Sequence, residues 1–366
     1  LANPAYRIPD DAIVRLDGLV DRIEARQGDL IDVREFEERQ RTLNVREVIR
    51  TLPEGLDEED LAGILHLALL TECATESYAA AIRERAHRFG AGWLARFNDG
   101  VWTPDELTHH APYKFILLSL GFSEADLDAR IRETQERQFT HYGGDTPVHV
   151  TTFGMVQEYL TDNWHGLIAT LLKEASPQAA YMATRIKRRE TLHTAWYRDM
   201  TALQIEANPS YVAYVAEEVA RFRMPGNSLV PELQAQSMRW LPLMGANMER
   251  VFKDVLRLVH QTLGSARLTG EFVVRLAAEK GVSLGPITFR QMQEALSRLG
   301  GPGYGLVGEA ALEAAGLDYI FRTKRERQDS AFRLYDGPYE KVRGLVRSWL
   351  ASEMTKRIES ITGIAG

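Results

Sequence analysis

The strongest constraint on how this chain can fold is a repeated spacing of acidic and imidazole side chains along helical stretches. Glu106 and His109 stand three residues apart, and so do Glu190 and His193. On a helix that step brings both side chains to one patch. Met182, Ile186, Glu190, His193, Tyr197 and Met200 follow steps of four, four, three, four and three, so the second pair shares a face with apolar residues. A carboxylate and an imidazole in a core cost on the order of several kcal/mol unless partnered, and a metal cation is one such partner.

Each pair has a second glutamate before it. Glu72 precedes Glu106 by 34 residues (106 − 72) and Glu158 precedes Glu190 by 32 (190 − 158). Turn signals fall between them, "GAG" and "NDG" in the first half and "SP" in the second, so each glutamate pair can meet across an antiparallel hairpin. Two Glu-x-x-His pairs plus one glutamate from each of two further helices is the donor set of a four-helix di-metal carboxylate site. A third match, Glu84 to His87, has no partner at hairpin spacing and lies among Arg83, Arg85 and Arg88, which reads as a solvated face.

Apolar residues recur at three and four over the first 260 or so positions while strand signals are few, so the fold class is all-α. The periodicity predicts an amphipathic segment over 10–41, then helices over 57–89, from "WTPDELTHH" onward, over 152–173 and over 177–205. Two more are expected over 209–222 and 229–263. In "WTPDELTHH" Thr103 suits a cap, Pro104 the first helical position, and Asp105 and Glu106 the positive end of the dipole. Pro112 is expected to kink that helix. Beyond Gly264 the glycine-rich "GVSLGP" and "LGGPGYGLVG" break the periodicity. The expected organisation is an N-terminal helical segment (1–44), a bundle domain (45–263) and a C-terminal extension (264–366).

The net charge of −7 gives no reason to expect nucleic acid as the main partner. Cys73 is the only cysteine, so an intrachain disulfide and a thiolate metal cage are excluded, and a reducing, cytoplasmic setting is expected. Cys73 itself is expected to pack in the core. Neither a membrane span nor a leader peptide is visible.

Five segments together resemble the soluble acyl-acyl carrier protein desaturases, which are ferritin-like di-iron proteins. "TECATESY" (71–78) is similar to their first ligand segment and "WTPDELTHH" (102–110) to their first Glu-x-x-His. "QEYLTDNWHG" (157–166) is similar to the third ligand segment, "RRETLHTAWY" (188–197) to the second Glu-x-x-His, and "FRMPGNSLVPEL" (222–233) to the methionine-proline turn that follows the bundle. The resemblance spans about residues 45–262 and implies a ferritin-like four-helix core with additional helices.

Carried over by position, it implies Glu72, Glu106, His109, Glu158, Glu190 and His193 as ligands of two iron ions, a donor set that suits iron. It implies O2 as co-substrate, an external donor such as ferredoxin, a carrier-bound acyl substrate and a homodimer. Thr161 matches a threonine near the oxygen site, although a hydroxyl bonded to its own helix is an equal reading. His165 matches a histidine that is not a ligand, and Trp102 a tryptophan that orients a ligand or packs. Two candidate basic rims for an acidic carrier are "RIKRR" (185–189) and Arg322, Lys324, Arg325 and Arg327.

The chain also departs from that pattern. Arg189 stands where the plant-type enzymes carry an acidic residue linked to electron delivery, and no tryptophan precedes Trp93. The activity the resemblance implies is O2-dependent desaturation of a fatty acyl chain carried on acyl carrier protein, and these departures are what make other oxygen chemistry plausible. The alternatives are hydroxylation or N-oxidation of a specialised metabolite and, ranked lower, a ferroxidase or iron-storage bundle.

Overall fold

The structure, a computed structural model, describes residues 6–40 and 42–279. Every regular element among them is helical, so the chain is all-α as expected. In chain order the helices are α1 (Asp10–Arg26), α2 (Val33–Gln40), α3 (Val45–Arg50), α4 (Glu58–Glu72), α5 (Thr75–Phe89) and α6 (Gly92–Phe97). A π-helical turn, Asn98–Trp102, leads into α7 (Thr103–Glu106), α8 (Ala111–Ser119) and α9 (Glu124–Glu136). Then come α10 (Pro147–Leu172), α11 (Pro177–Ala207), α12 (Val212–Arg221), α13 (Gly226–Leu229), α14 (Pro231–Leu243), α15 (Met248–Leu263) and α16 (Ala266–Glu279).

Several expected helices are divided. The 10–41 segment breaks between α1 and α2, where Gly28 takes φ +72. The 57–89 helix stops at Glu72 and restarts at Thr75, and Gly90 at φ 66 then ends it in the left-handed cap that glycine accepts without strain. "NDG" lies in the π-helical turn and does not reverse the chain. Thr103 caps nothing, because the backbone is already helical at Trp102. Pro112 does not kink a helix, because it sits in the first turn of α8, where its missing N–H costs little. The 229–263 stretch divides into α14 and α15.

The chain groups into two compact units. Among the described residues, one comprises 6–141, 145–203 and 224–246, and the other comprises 142–144, 204–223 and 247–279. The 264–366 extension is described only through α16, and the second basic rim (Arg322, Lys324, Arg325, Arg327) lies outside the described residues.

The first unit forms around α4. Asp57 accepts the Asp60 N–H at 2.8 Å while Asp60 accepts the Asp57 N–H at 3.3 Å, a reciprocal cap that sets the start of this helix. Leu61, Ile64, Leu65, Leu67, Ala68, Leu69 and Leu70 are buried around its whole circumference, which is how a central helix is written. Each such leucine contributes about 1.5–3 kcal/mol of burial. Gly63 is required because a Cβ there would meet the Trp240 ring at 2.6 Å, and the Trp240 indole donates to Asp60 at 3.0 Å, which seats α14.

Helices α10 and α11 run antiparallel. Thr201 donates to Thr151 at 2.8 Å, the Tyr197 ring covers Gly154, and Lys187 meets Asp162 at 2.8 Å, so sequence numbers rise on one helix as they fall on the other. In the second unit, Val212, Val215, Ala216, Val219 and Ala220 make the buried stripe of α12, which packs on α16.

Candidate metal centre

The site lies within the first unit, on four stretches of chain. Glu72 is the last residue of α4, Glu158 lies within α10, and Glu190 and His193 lie one turn apart on α11. Glu106 ends α7, and His109 falls in the tightened turn that follows, where its N–H reaches the Glu106 carbonyl at 3.1 Å. In the π-helical turn just upstream the Thr103 N–H bonds back to the Asn98 carbonyl. A wide turn followed by a tight one changes the direction in which the next side chains point, a device frequent at functional sites.

The structure brings all six predicted ligand residues together, each 6% exposed or less. One donor atom each from Glu72, Glu106, His109 and Glu190 lies within 4.8 Å of the others, and the same holds for Glu106, Glu158, Glu190 and His193. The two groups share Glu106 and Glu190. Nδ1 of His109 lies 2.8 Å from Glu190 and Nδ1 of His193 lies 2.7 Å from Glu106. These contacts are close but badly angled. Among the described residues, Oε1 of Glu106, both oxygens of Glu190 and Nδ1 of each histidine find no hydrogen-bond partner.

Leaving such atoms buried and unsatisfied costs about 1–3 kcal/mol each, more if charged. A divalent cation resolves the conflict, because once the histidines give up their protons these atoms supply lone pairs within two groups whose members lie within 4.8 Å of one another. The buried Glu and His groups could therefore hold a metal ion.

Electrostatics point the same way. Burial opposes charge on His109, but the surrounding Glu106 and Glu190 carboxylates and Asp105 outweigh it and raise its basicity well above the ordinary imidazole range. His193 is raised likewise, with Asp105, Glu106 and Glu190 outweighing burial. Burial and the charges of Glu190 and Glu106 push the Glu158 carboxyl well above its usual range.

Around this cluster stand residues of differing visibility in the sequence. Trp102 donates its indole N–H to Glu158 at 3.0 Å. His165 reaches Glu72 through Nε2 at 3.2 Å, and its Nδ1 takes the Tyr113 hydroxyl. It belongs to neither four-residue group. Thr161 is half-buried and its hydroxyl donates to the Gln157 carbonyl at 2.9 Å, the local bond to its own helix that is the alternative to a place near the oxygen site. Cys73 is buried and burial pushes its thiol up to about 12, which suits packing. Glu84 and His87 are both exposed, as a solvated face requires.

Sequence reasoning missed Asp105 and Tyr113, and took Arg189 for part of a basic rim. "RIKRR" is not a uniform surface: Arg188 is exposed, Lys187 is held by Asp162, and Arg189 is turned inward, 6% exposed, onto Asp105. The overlooked signal was the position of Asp105, four residues before His109 on the same helical face.

An all-α chain with a buried carboxylate and histidine site able to hold metal defines the class. The family model for fatty acid desaturases matches residues 30–253, and the chain belongs to that family. It is accordingly a desaturase-type oxidoreductase. No curated protein matches the chain.

Proposed function

We propose that the protein holds two iron ions, one among Glu72, Glu106, His109 and Glu190 and the other among Glu106, Glu158, Glu190 and His193, and uses them to desaturate a fatty acyl chain carried on acyl carrier protein. The observation that carries this reading is the pair of overlapping donor groups with Glu106 and Glu190 in common. When bound, the iron pair supplies reduction of O2 and removal of hydrogen from an unactivated C–H bond, chemistry that side chains alone do not provide. Electrons come from an external donor of ferredoxin type, and the protein acts as a homodimer in the cytoplasm.

The chain's own residues bind, orient and exclude water. Glu106 and Glu190 each offer two oxygens to the shared position. Trp102 fixes one Glu158 oxygen, while His165, backed by Tyr113, fixes one Glu72 oxygen. Leu65, Leu69, Ile186 and Met182 are fully buried on the helices that bear the ligands, so the centre is dry and its electrostatic interactions are strong. Arg188 is the exposed member of the basic run and a docking contact for an acidic carrier.

The test is anaerobic loading with ferrous iron, reduction, admission of O2 with an acyl carrier protein substrate, and mass spectrometry of the acyl chain. Loss of two hydrogens supports desaturation, and gain of one oxygen assigns the site to hydroxylation instead. Iron oxidation with no organic product would leave only ferroxidase chemistry and overturn the proposal.

A further inference from the structure

Asp105 is completely buried and lies between the two Glu-x-x-His pairs. Its Oδ2 is hydrogen-bonded to Nε2 of His193 at 2.8 Å, while its Oδ1, without a hydrogen-bond partner among the described residues, faces Nε2 of His109 at 3.6 Å, an ion-pair distance. The two imidazole rings lie nearly parallel, with centroids 5.6 Å apart and planes 12° apart. Each ring thus turns Nδ1 toward the glutamates and Nε2 toward one and the same carboxylate. Arg189 closes the arrangement. Its Nε donates to Asp105 Oδ2 at 2.6 Å, another guanidinium nitrogen donates to the carbonyl of Gln27, and the Trp196 ring lies 5.8 Å from the guanidinium carbon. Gln27 is the residue at which α1 ends.

We infer that Asp105 is a shared positioning residue for both metal ions: one of its oxygens takes the Nε2 proton of His193 and the other faces Nε2 of His109, so that both rings present Nδ1 to the metal site, while Arg189 locks Asp105 in place and ties it to the end of α1. This inference rests on the two-metal reading above. A neutral imidazole has one N–H and one lone pair, and the group that accepts the N–H decides which nitrogen is free to coordinate. The side-by-side rings bring both Nε2 atoms to the one carboxylate, one oxygen to each. A buried carboxylate needs a counter-charge, and Arg189 is the cation touching it that keeps its charge when the histidines turn neutral. The guanidinium fork can hold the carboxylate and a backbone carbonyl at once, which an ammonium point charge does less well.

Sharing has a measurable signature. A group serving one histidine affects one ion, whereas Asp105 affects both together. Outer hydrogen-bond partners of metal ligands are worth about 10–100-fold in affinity. The metal-free full chain is titrated with Co2+, whose visible absorption reports ligand geometry, and with Fe2+ under anaerobic conditions, for wild type, Asp105→Asn and Trp102→Phe. The expected result is two ions on wild type, both weakened about 10–100-fold with an altered Co2+ spectrum in Asp105→Asn, and only one weakened in Trp102→Phe, whose indole meets Glu158 alone.

Wild type binding fewer than two ions would overturn the two-metal reading and this inference with it. Wild type binding two ions while Asp105→Asn keeps its affinities and spectrum, or weakens only one ion, would overturn the inference alone. Should Asp105→Asn not fold, Arg189→Lys carries the test: it retains the charge and loses the fork, so joint weakening of both ions is expected and unchanged binding sinks the proposal.

Discussion

Glu72 and Glu158 hold equivalent places in the two halves of the sequence pattern and live in opposite surroundings. Burial raises the affinity of Glu72 for a proton, but His109 and His165 outweigh it and hold the carboxyl below its usual range. Burial does the same to Glu158, and there the neighbouring charges of Glu190 and Glu106 add to it, so that carboxyl is held well above its range. The partners differ accordingly: an imidazole backed by a tyrosine hydroxyl on one side, an indole N–H on the other. Symmetry of residue type therefore coexists with asymmetry of proton affinity, and the second comes from which neighbours each carboxyl meets in the folded chain.

The largest expected effect tests what the halves share. Glu190→Ala removes a member of both candidate donor groups, so on the proposed reading metal analysis of the purified variant should find no bound ion; retention of two ions per chain would end the shared-ligand proposal. Next comes the difference between the halves, read as urea stability of the metal-free protein. Glu72→Gln strands His165 and His109 and should cost about 3 kcal/mol, as breaking buried ion pairs does. Glu158→Gln replaces a carboxyl that already favours its proton with a similar amide and should cost under about 1 kcal/mol. Equal losses would show that the two environments are alike.

The dependence on pH separates them further. The raised basicity of His109 and His193 stabilises the metal-free fold fully below about pH 6.5, and this contribution is lost as pH rises through their folded values. Glu158, raised, costs stability as pH climbs above about 4.5 toward its folded value, whereas Glu72, lowered, contributes above about 4.5 and loses that contribution as pH falls. The metal-free midpoint should thus fall with rising pH above neutrality, by about 1.4 kcal/mol per pH unit for each proton involved. Metal loading at neutral pH should release protons from His109, His193 and Glu158, and calorimetry in buffers of different ionisation enthalpy measures the number. Release that does not drop in Glu158→Gln would contradict the raised Glu158.

The smallest effect is Tyr113→Phe. It removes one buried hydrogen bond to His165, costs about 1 kcal/mol, and should disturb the Glu72 half while leaving the Glu158 half as it was.

Much of the fold was readable because its signals are local. The apolar run of α4, the glycine stop at Gly90 and the proline start at Pro177 each express a preference of a few neighbouring residues. The breaks were harder to read. The chain stops at Glu72 and widens at Asn98–Trp102 inside stretches whose periodicity is continuous, because apolar spacing records which residues face the core and not how the backbone turns between them. Pro112 was misplaced for the same reason: its effect depends on whether a helix is already running when the chain reaches it.

The six candidate ligands were legible because a three-residue step on a helix needs no tertiary knowledge to place two side chains together, and matched spacing of the preceding glutamates supplied the rest. The pairing of Asp105 with Arg189 was not, although both residues stand beside those candidates and Arg189 was marked out as a departure from the family pattern. Read along the chain, an acid in the first turn of a helix and an arginine in a basic run are ordinary surface features. Only the folded molecule sets them 2.6 Å apart, because a charge is drawn out of water when the helices carrying it and its counter-charge pack face to face, and which helices meet is decided by the whole core. The sequence by itself determined that this is an all-helical chain with a two-part donor set; tertiary packing decided how the donors are oriented and which of them keep their protons.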